Sequence, residues 1–143
     1  MNKKVLFLIG LLSVALIIAG CSTAPKGPAF EPEMKASEDQ GIVYISREKA
    51  MVGSMMAANI ELNGKKSTAL KQDGYIVILA PQGTLSVRVY AGLFNKTIPV
   101  NVKAGQSYLL RMEGTDIKLV DLNQAQYKEE LSVKTLQERI IIP

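Results

Sequence analysis

The sequence predicts a mainly β fold, an antiparallel β-sandwich or barrel with a C-terminal helix. Short apolar-rich runs follow one another between residues 41 and 122 at spacings of roughly 8–12 residues. Turn signals divide them, including Asn63-Gly64, a strong hairpin signal because both residues tolerate positive φ. Helical stretches of the length that parallel strands need as crossovers do not separate the runs, which favours antiparallel pairing.

Three of these runs carry specific information. Residues 42–45 are a β-branched strand-type run. Residues 75–79 are continuously apolar, which predicts a strand buried on both faces. Pro99 indicates an edge strand, because proline has no N–H to donate to a neighbouring strand. The strand that contains Pro99 covers residues 98–102. The other predicted strands alternate in polarity or lie between turn signals, and they cover residues 56–62, 66–70, 85–90, 108–112 and 117–122.

The composition changes after residue 122. Residues 124–138 are rich in helix formers and predict a helix, with Asn123 as its N-cap. The final residues 140–142 are three isoleucines, which fit either a strand or a segment packed on the sandwich. The predicted organisation is a signal peptide at 1–20, a lipidated cysteine and linker at 21–40, a sandwich domain at 41–122, and a helix and tail at 123–143.

Residue counts exclude several classes of function. The chain has 17 basic and 13 acidic side chains, one cysteine and no histidine. Without histidine it cannot use Ser-His-Asp or Cys-His catalysis or bind zinc through imidazole, and one cysteine cannot form an intramolecular disulfide. Loss of Lys3 and Lys4 with a signal peptide would leave a net charge of +2, too small to indicate nucleic-acid binding. We therefore expect no enzyme activity, cofactor or metal.

The N-terminus has the layout of a secretory signal. Lys3 and Lys4 precede an apolar run at residues 5–19, which is short for a membrane-spanning helix of about 20 residues. Ile18-Ala19-Gly20-Cys21 resembles the bacterial lipobox, in which small residues precede the cysteine at the cleavage site. The resemblance implies cleavage between Gly20 and Cys21, a diacylglycerol (palmitate-type) anchor on Cys21 and an acylated amine. The competing interpretation is an uncleaved helix with a buried cysteine.

Ser22 follows the predicted lipidation site. By the sorting pattern of lipoproteins in two-membrane bacteria, a residue other than Asp at this position implies the periplasmic face of the outer membrane, or the cell surface where there is one membrane. Residues 22–40 contain three prolines and have no regular period, which predicts a tether of at most about 65 Å. Part of it could instead pack on the domain through Phe30.

Residues 42–122 resemble an uncharacterised family of bacterial lipoprotein β-sandwich domains, related in style to PEGA-type domains. The likeness rests on the order and spacing of short motifs, namely Ile42-Val43-Tyr44 with Arg47, Leu62-Asn63-Gly64-Lys65, Asp73-Gly74-Tyr75, Pro81-Gln82-Gly83 with Leu85-Ser86-Val87, and Ala104-Gly105-Gln106-Ser107-Tyr108. The resemblance implies a small immunoglobulin-like or prealbumin-like β-sandwich held on a membrane, and it brings no catalytic residues.

Two groups of residues are candidates for an interaction surface. Met51, Met55 and Met56 form an adaptable apolar cluster, although methionines that cap the sandwich are the more ordinary interpretation. A second candidate is a basic stripe for carboxylates of a glycan or partner, which requires three arginines to align. Solvated edge charge is its competing interpretation. These arginines are Arg47, Arg88 and Arg111.

Two further constellations are weaker. A Ser54–Lys49 pair is possible by spacing, but nothing in the sequence would desolvate the lysine. Glu113, Asp116 and Asp121 surround one turn and the next strand, yet they lack the dense Asp/Asn/Gly loop of a calcium site, which favours solvated turn charges.

The function expected from these features is that of a membrane-anchored, non-enzymatic envelope lipoprotein. It would bind another envelope protein or a cell-wall polymer through sandwich edges or the methionine loop. The alternative is a carrier of a small apolar ligand or lipid inside the β domain, suggested by residues 75–79. A hydrolase using carboxylates or a Ser-Lys pair is the least favoured hypothesis.

Overall fold

The computed structural model describes residues 37–48, 56–114 and 116–143. Within these residues no helix is long and apolar enough to cross a membrane. The elements in chain order are β1 (Gln40–Arg47), β2 (Ala58–Leu62), β3 (Lys65–Leu70), β4 (Gly74–Pro81), β5 (Gly83–Ala91), β6 (Phe94–Val102), β7 (Ser107–Glu113), β8 (Asp116–Val120), α1 (Ala125–Ser132) and β9 (Thr135–Ile141).

The strands form two sheets that pack as a sandwich, which confirms the predicted fold class. Sheet A has the order β8-β7-β1-β4-β9, and sheet B has the order β3-β2-β5-β6. Most neighbours are antiparallel, but β1 pairs with β7 and β4 pairs with β9 in parallel. These two parallel pairs are exceptions to the predicted antiparallel pairing. The chain between β1 and β7 passes through sheet B, so these parallel strands need no crossover helix.

The eight strands predicted from the sequence correspond to β1–β8. Asn63 and Gly64 have φ values of 51° and 78°, which confirms the hairpin between β2 and β3. Residues 75–79 are buried along β4, between β1 and β9. Pro99 lies in β6 at the edge of sheet B, as predicted.

The C-terminal region differs from the prediction in detail. The helix is shorter than predicted, its N-cap is Gln124 rather than Asn123, and that residue makes no capping side-chain hydrogen bond. The tail forms β9, which pairs with β4, so sheet A continues beyond the predicted domain boundary at residue 122. The isoleucine-rich end of the chain has strand propensity, and β4 offers it an open edge with a buried apolar face.

Two apolar layers hold the fold together. The inner core lies between the sheets and includes Val43, Ile78 and Val87. The outer core lies between sheet A and α1 and includes Tyr44, Val77 and Leu131. Since β4 supplies side chains to both layers, its continuous apolar sequence is explained by burial on both faces.

A salt bridge closes one side of the sandwich. Lys96 of β6 forms an ion pair with Asp116 of β8, which links sheet B to sheet A. Lys96 Nζ also donates to the carbonyl of Ile117 at 3.3 Å, and the backbone N–H of Ile117 donates to Asp116 Oδ1 at 2.8 Å. These bonds occupy both backbone polar groups of Ile117 on the edge strand β8.

The open sheet edges carry features that oppose pairing with another strand. Asn95 and Thr97 are exposed on the edge strand β6, and Pro99 in the same strand has no N–H to donate to another strand. At the edge strand β8, the carbonyl of Ile117 accepts a hydrogen bond from Lys96 of β6, and its N–H donates to the side chain of Asp116. These features discourage strand addition at the β6 and β8 edges.

We expect the Asp116→Asn variant to lose part of the acid sensitivity of folding. The hydrogen bond from Lys96, with the backbone N–H of Ile117, lowers the pKa of Asp116 below its ordinary value. A lowered pKa in the folded state stabilises the protein above the unfolded pKa of about 3.9, and this contribution is lost as the pH falls through the folded pKa. Urea unfolding between pH 6 and pH 2 measures it.

In that experiment the stability of the wild type falls more steeply with acid than the stability of Asp116→Asn. The Lys96→Met variant is the control, because it removes the partner of the carboxylate and leaves the carboxylate in place. Identical pH dependence in wild type and Asp116→Asn would contradict the assignment.

Candidate functional site

The three arginines expected to form a basic stripe lie on three different surfaces. Arg47 and Arg111 belong to sheet A, but Ser46 is the residue paired with Arg111, so the two arginine side chains leave the sheet on opposite faces. Arg88 is in β5 of sheet B. The predicted stripe does not form, because alternation within the strands and the division into two sheets separate its members.

Arg47 is a buried structural residue, with only 8% of its surface exposed. Its Nη1 donates to the backbone carbonyls of Met56 at 2.6 Å and Leu70 at 3.1 Å. Burial lowers the pKa of its guanidinium group. The contacts join β1 to Met56, two residues before β2, and to the end of β3, so the role of Arg47 is to fix these chain segments.

Arg88 lies on the outer face of sheet B and is held by its neighbours. Its Nη1 is 3.0 Å from Glu61 Oε2, and its Nε donates to Asn95 Oδ1 at 2.9 Å. The guanidinium carbon is 5.1 Å from the centre of the Tyr90 ring, in a cation–π arrangement. Arg88 is the most accessible of these three arginines, since 41% of its side chain is exposed.

Arg111 is the centre of a charged cluster beside α1. It forms ion pairs with Glu48 and Glu113, and its Nε lies 2.6 Å from Glu130 Oε2. Its guanidinium carbon is 5.9 Å from the centre of the Tyr127 ring. Since Glu130 and Tyr127 belong to α1, the arginine attaches the helix to sheet A.

Lys134 completes this cluster on the side of β9. Its Nζ donates to the carbonyl of Arg47 at 2.9 Å and lies 3.7 Å from Glu130 Oε1. Only 6% of its side chain is exposed. The cluster therefore balances three carboxylates with Arg111, Lys134 and the more exposed Lys118, and its chemistry is that of a structural ion-pair network.

Several predicted site residues lie outside the described part of the chain. These are Gly20, Cys21, Ser22, Lys49, Met51, Ser54 and Met55. Met56 is described and is 57% exposed, and its carbonyl is the acceptor for Arg47. It is an exposed apolar side chain beside a fixed backbone.

The three acidic residues considered for calcium are separated. Glu113 pairs with Arg111 and Lys118, and Asp116 pairs with Lys96. Asp121 lies beyond the opposite end of β8. Across residues 37–48, 56–114 and 116–143, no group of three or more acidic or cysteine side chains is placed to hold a metal ion.

The space between the sheets is filled by side chains of the inner core. Ile45, Ile60, Ile76 and Val87 are fully buried there. The two best-formed cavities among the described residues are both open to the surface, at the β6–β7 turn and at the β4–β5 turn.

The larger cavity is an open cleft of about 630 Å³ between the β6–β7 turn and the turn that joins β8 to α1. We call it the turn cleft. One wall consists of residues 105–108, and the other consists of residues 119–121 and Asn123. Its volume lies within the range of about 300–1,000 Å³ that is usual for small-molecule sites.

Hydrogen bonds hold both walls of the turn cleft in place. The backbone N–H of Lys103 donates to the Tyr108 hydroxyl at 3.0 Å, and that hydroxyl donates to Gln106 Oε1 at 3.1 Å. In the opposite wall the backbone N–H of Asn123 donates to Asp121 Oδ1 at 2.9 Å. These hydrogen bonds fix the positions of both walls.

The surface of the turn cleft combines polar groups with an apolar flank. Ser107, Asp121 and Asn123 are exposed and supply a hydroxyl, a carboxylate and an amide. Leu119 contributes an apolar side chain that is 49% exposed. Asp121 is the single charged residue of the lining, so the cleft favours neutral or cationic ligands.

The turn cleft lies at the end of the sandwich where the chain enters the domain. The backbone N–H of Gly105 donates to the Gln40 carbonyl at 2.9 Å, and that of Ile42 donates to the Gln106 carbonyl at 2.9 Å. The wall at residues 105–108 is therefore bonded directly to the start of β1. Sequence reasoning identified the turn at Ala104-Gly105 but placed Asp121 within a strand, and it did not show that β7 and β8 pair and form the cleft between them.

Comparison with known proteins gives a family. A search of curated proteins found no match to this chain. The family described as "Protein of unknown function (DUF2846)" matches residues 37–123. This segment contains β1–β8 and both walls of the turn cleft, whereas α1 and β9 follow it. The chain therefore belongs to the DUF2846 family.

Proposed function

We propose that this protein is a non-enzymatic lipoprotein of the bacterial cell envelope that binds an envelope partner through its β-sandwich. The observation that carries the proposal is the order of features along the chain. A charged start, an apolar run and Gly20-Cys21 are followed, 16 residues after the cysteine, by Ser37, the first described residue of the β-sandwich region.

The anchor defines the proposed location. Acyl chains on Cys21 hold the mature protein on a membrane, because two or more chains bind stably where one binds only marginally. Ser22 favours the periplasmic face of the outer membrane. The segment between Cys21 and Ser37 reaches at most about 55 Å, so the domain acts close to that surface. The likeness to lipoprotein domains of PEGA type is consistent with this role.

The turn cleft is the proposed contact surface. It is concave, its walls are fixed, and it lies where the chain enters the domain. The protected edges of β6 and β8 disfavour binding by strand addition. The absence of histidine from the sequence removes the commonest general base, which supports a binding role over hydrolysis.

Lipidation is tested by expressing the full chain in bacteria supplied with an alkyne-labelled fatty acid. Wild type is expected to incorporate the label and to fractionate with membranes. Cys21→Ala is expected to lose the label entirely and to run as the longer, uncleaved precursor. Cys21→Ser is a matched control, since it keeps the size and polarity of the side chain but removes the thiol. Label retained in Cys21→Ala would contradict the anchor.

The partner is sought by cross-linking in intact cells, followed by mass spectrometry, with wild type and Cys21→Ala compared. A photo-reactive residue at Gln106 in the turn cleft is compared with one at Lys66, which is exposed on sheet B. A partner captured only from Gln106 and only by the anchored protein supports the proposal. Capture that is equal at both positions would refute the turn cleft as the contact surface.

A further inference from the structure

We propose that the turn cleft binds a neutral sugar unit of a glycan. This inference rests on the proposed function, because it names the partner class for the same surface. The cleft is a concave site of suitable size, and its lining offers both donors and acceptors.

The polar groups of the turn cleft suit a polyol. Asp121 and the amide of Asn123 accept hydrogen bonds, and the amide groups of Asn123 and Gln106 also donate them. Gln106 Oε1 accepts from Tyr108, which leaves the NH₂ group of Gln106 as a donor. Sugars present neighbouring hydroxyls that donate and accept at once, so this mixed lining satisfies them without a net charge on the ligand.

The apolar flank of the cleft suits the C–H face of a sugar ring. Leu119 is half exposed although it belongs to an otherwise buried row that includes Ile117. An exposed apolar side chain beside fixed polar groups is suited to the C–H face of a sugar, whereas the hydroxyls meet the polar wall. A ligand seated there would cover Leu119.

Charge and edge protection distinguish a sugar from other ligands. The lining contains a carboxylate and no lysine or arginine, which disfavours phosphates and acidic peptides. Strand addition by an extended peptide is opposed at Ile117 of β8, because Asp116 and Lys96 bond its N–H and its carbonyl. A neutral saccharide requires neither cations nor a free strand edge.

The test uses the full-length protein in detergent micelles and saturation-transfer NMR with three soluble probes. Two are neutral, a β-1,4-linked N-acetylglucosamine tetrasaccharide and maltotetraose, and one is anionic, trigalacturonate. We expect saturation transfer to at least one neutral probe and none to the anionic probe. The Ser107→Ala/Asn123→Ala double variant is expected to weaken binding at least tenfold.

The matched control is Ser67→Ala/Asn101→Ala, which removes the same two groups from exposed positions of sheet B and is expected to bind like wild type. The sugar assignment is overturned if no neutral probe binds up to about 10 mM, if the anionic probe binds as well as the neutral ones, or if the cleft variant binds like wild type. Cross-linking from Gln106 separates the two proposals. A captured protein partner with no sugar binding refutes the sugar and leaves the proposed function standing.

Discussion

Replacement of Arg111 by alanine is expected to destabilise the domain by about 3 kcal/mol. The side chain is 14% exposed and meets three carboxylates, of which Glu130 is itself only 19% exposed. Removing the arginine leaves these acids close together with Lys134 and Lys118 as the remaining cations. It also removes the cation–π contact with Tyr127 and so weakens the attachment of α1. Urea unfolding at pH 7 measures the loss.

Arg88→Ala is the matched control for this prediction. Arg88 also lies in a strand, bonds a carboxylate and stacks on a tyrosine, but 41% of its side chain is exposed. Exposed pairs of this kind contribute at most about 1 kcal/mol. Both arginines form an ion pair, so a difference in stability loss between the two variants reports the effect of burial and of the number of carboxylates. Equal losses for the two variants would show that the Arg111 cluster has no special structural role.

The Arg111 cluster also shows where prediction from sequence ends. Alternating polarity and turn residues predicted β1–β8, because strands and hairpins are specified by neighbours along the chain. The partners of Arg111 include Glu48, which is 63 residues away in sequence. Which strands share a sheet, and hence which charges meet, depends on contacts between distant residues that periodicity does not encode.

The turn cleft has the same explanation. The sequence predicts a turn at Ala104-Gly105, but it also predicts a strand over residues 117–122, which includes Asp121. The site exists because β7 and β8 form an antiparallel pair that places the two turns at the same end of sheet A. The prediction of a basic stripe was wrong for the converse reason, since similar residue types in separate strands need not share a face.

Replacement of Leu131 by alanine is expected to cost about 3 kcal/mol, because Leu131 is 1% exposed in the outer core. The helix that carries it has eight residues, no capping side-chain hydrogen bond, no acid in its first turn and no base in its last turn. Such a short helix is held by tertiary contacts rather than by its own propensity. Urea unfolding and hydrogen exchange of the amides of α1 measure the effect.

Val133→Ala is the control for Leu131→Ala. Val133 lies just after the same helix but is 69% exposed, so its truncation is expected to change stability by no more than about 0.5 kcal/mol. The family match ends at residue 123, so the comparison decides which segment is the folding unit. A large loss of stability in Leu131→Ala alone means that α1 and β9 fold cooperatively with the family domain, because Leu131 packs in one buried cluster with Tyr44 and Val77 of sheet A. Small losses in both variants would mean that residues 37–123 form the stable unit and that α1 is an accessory element on its surface.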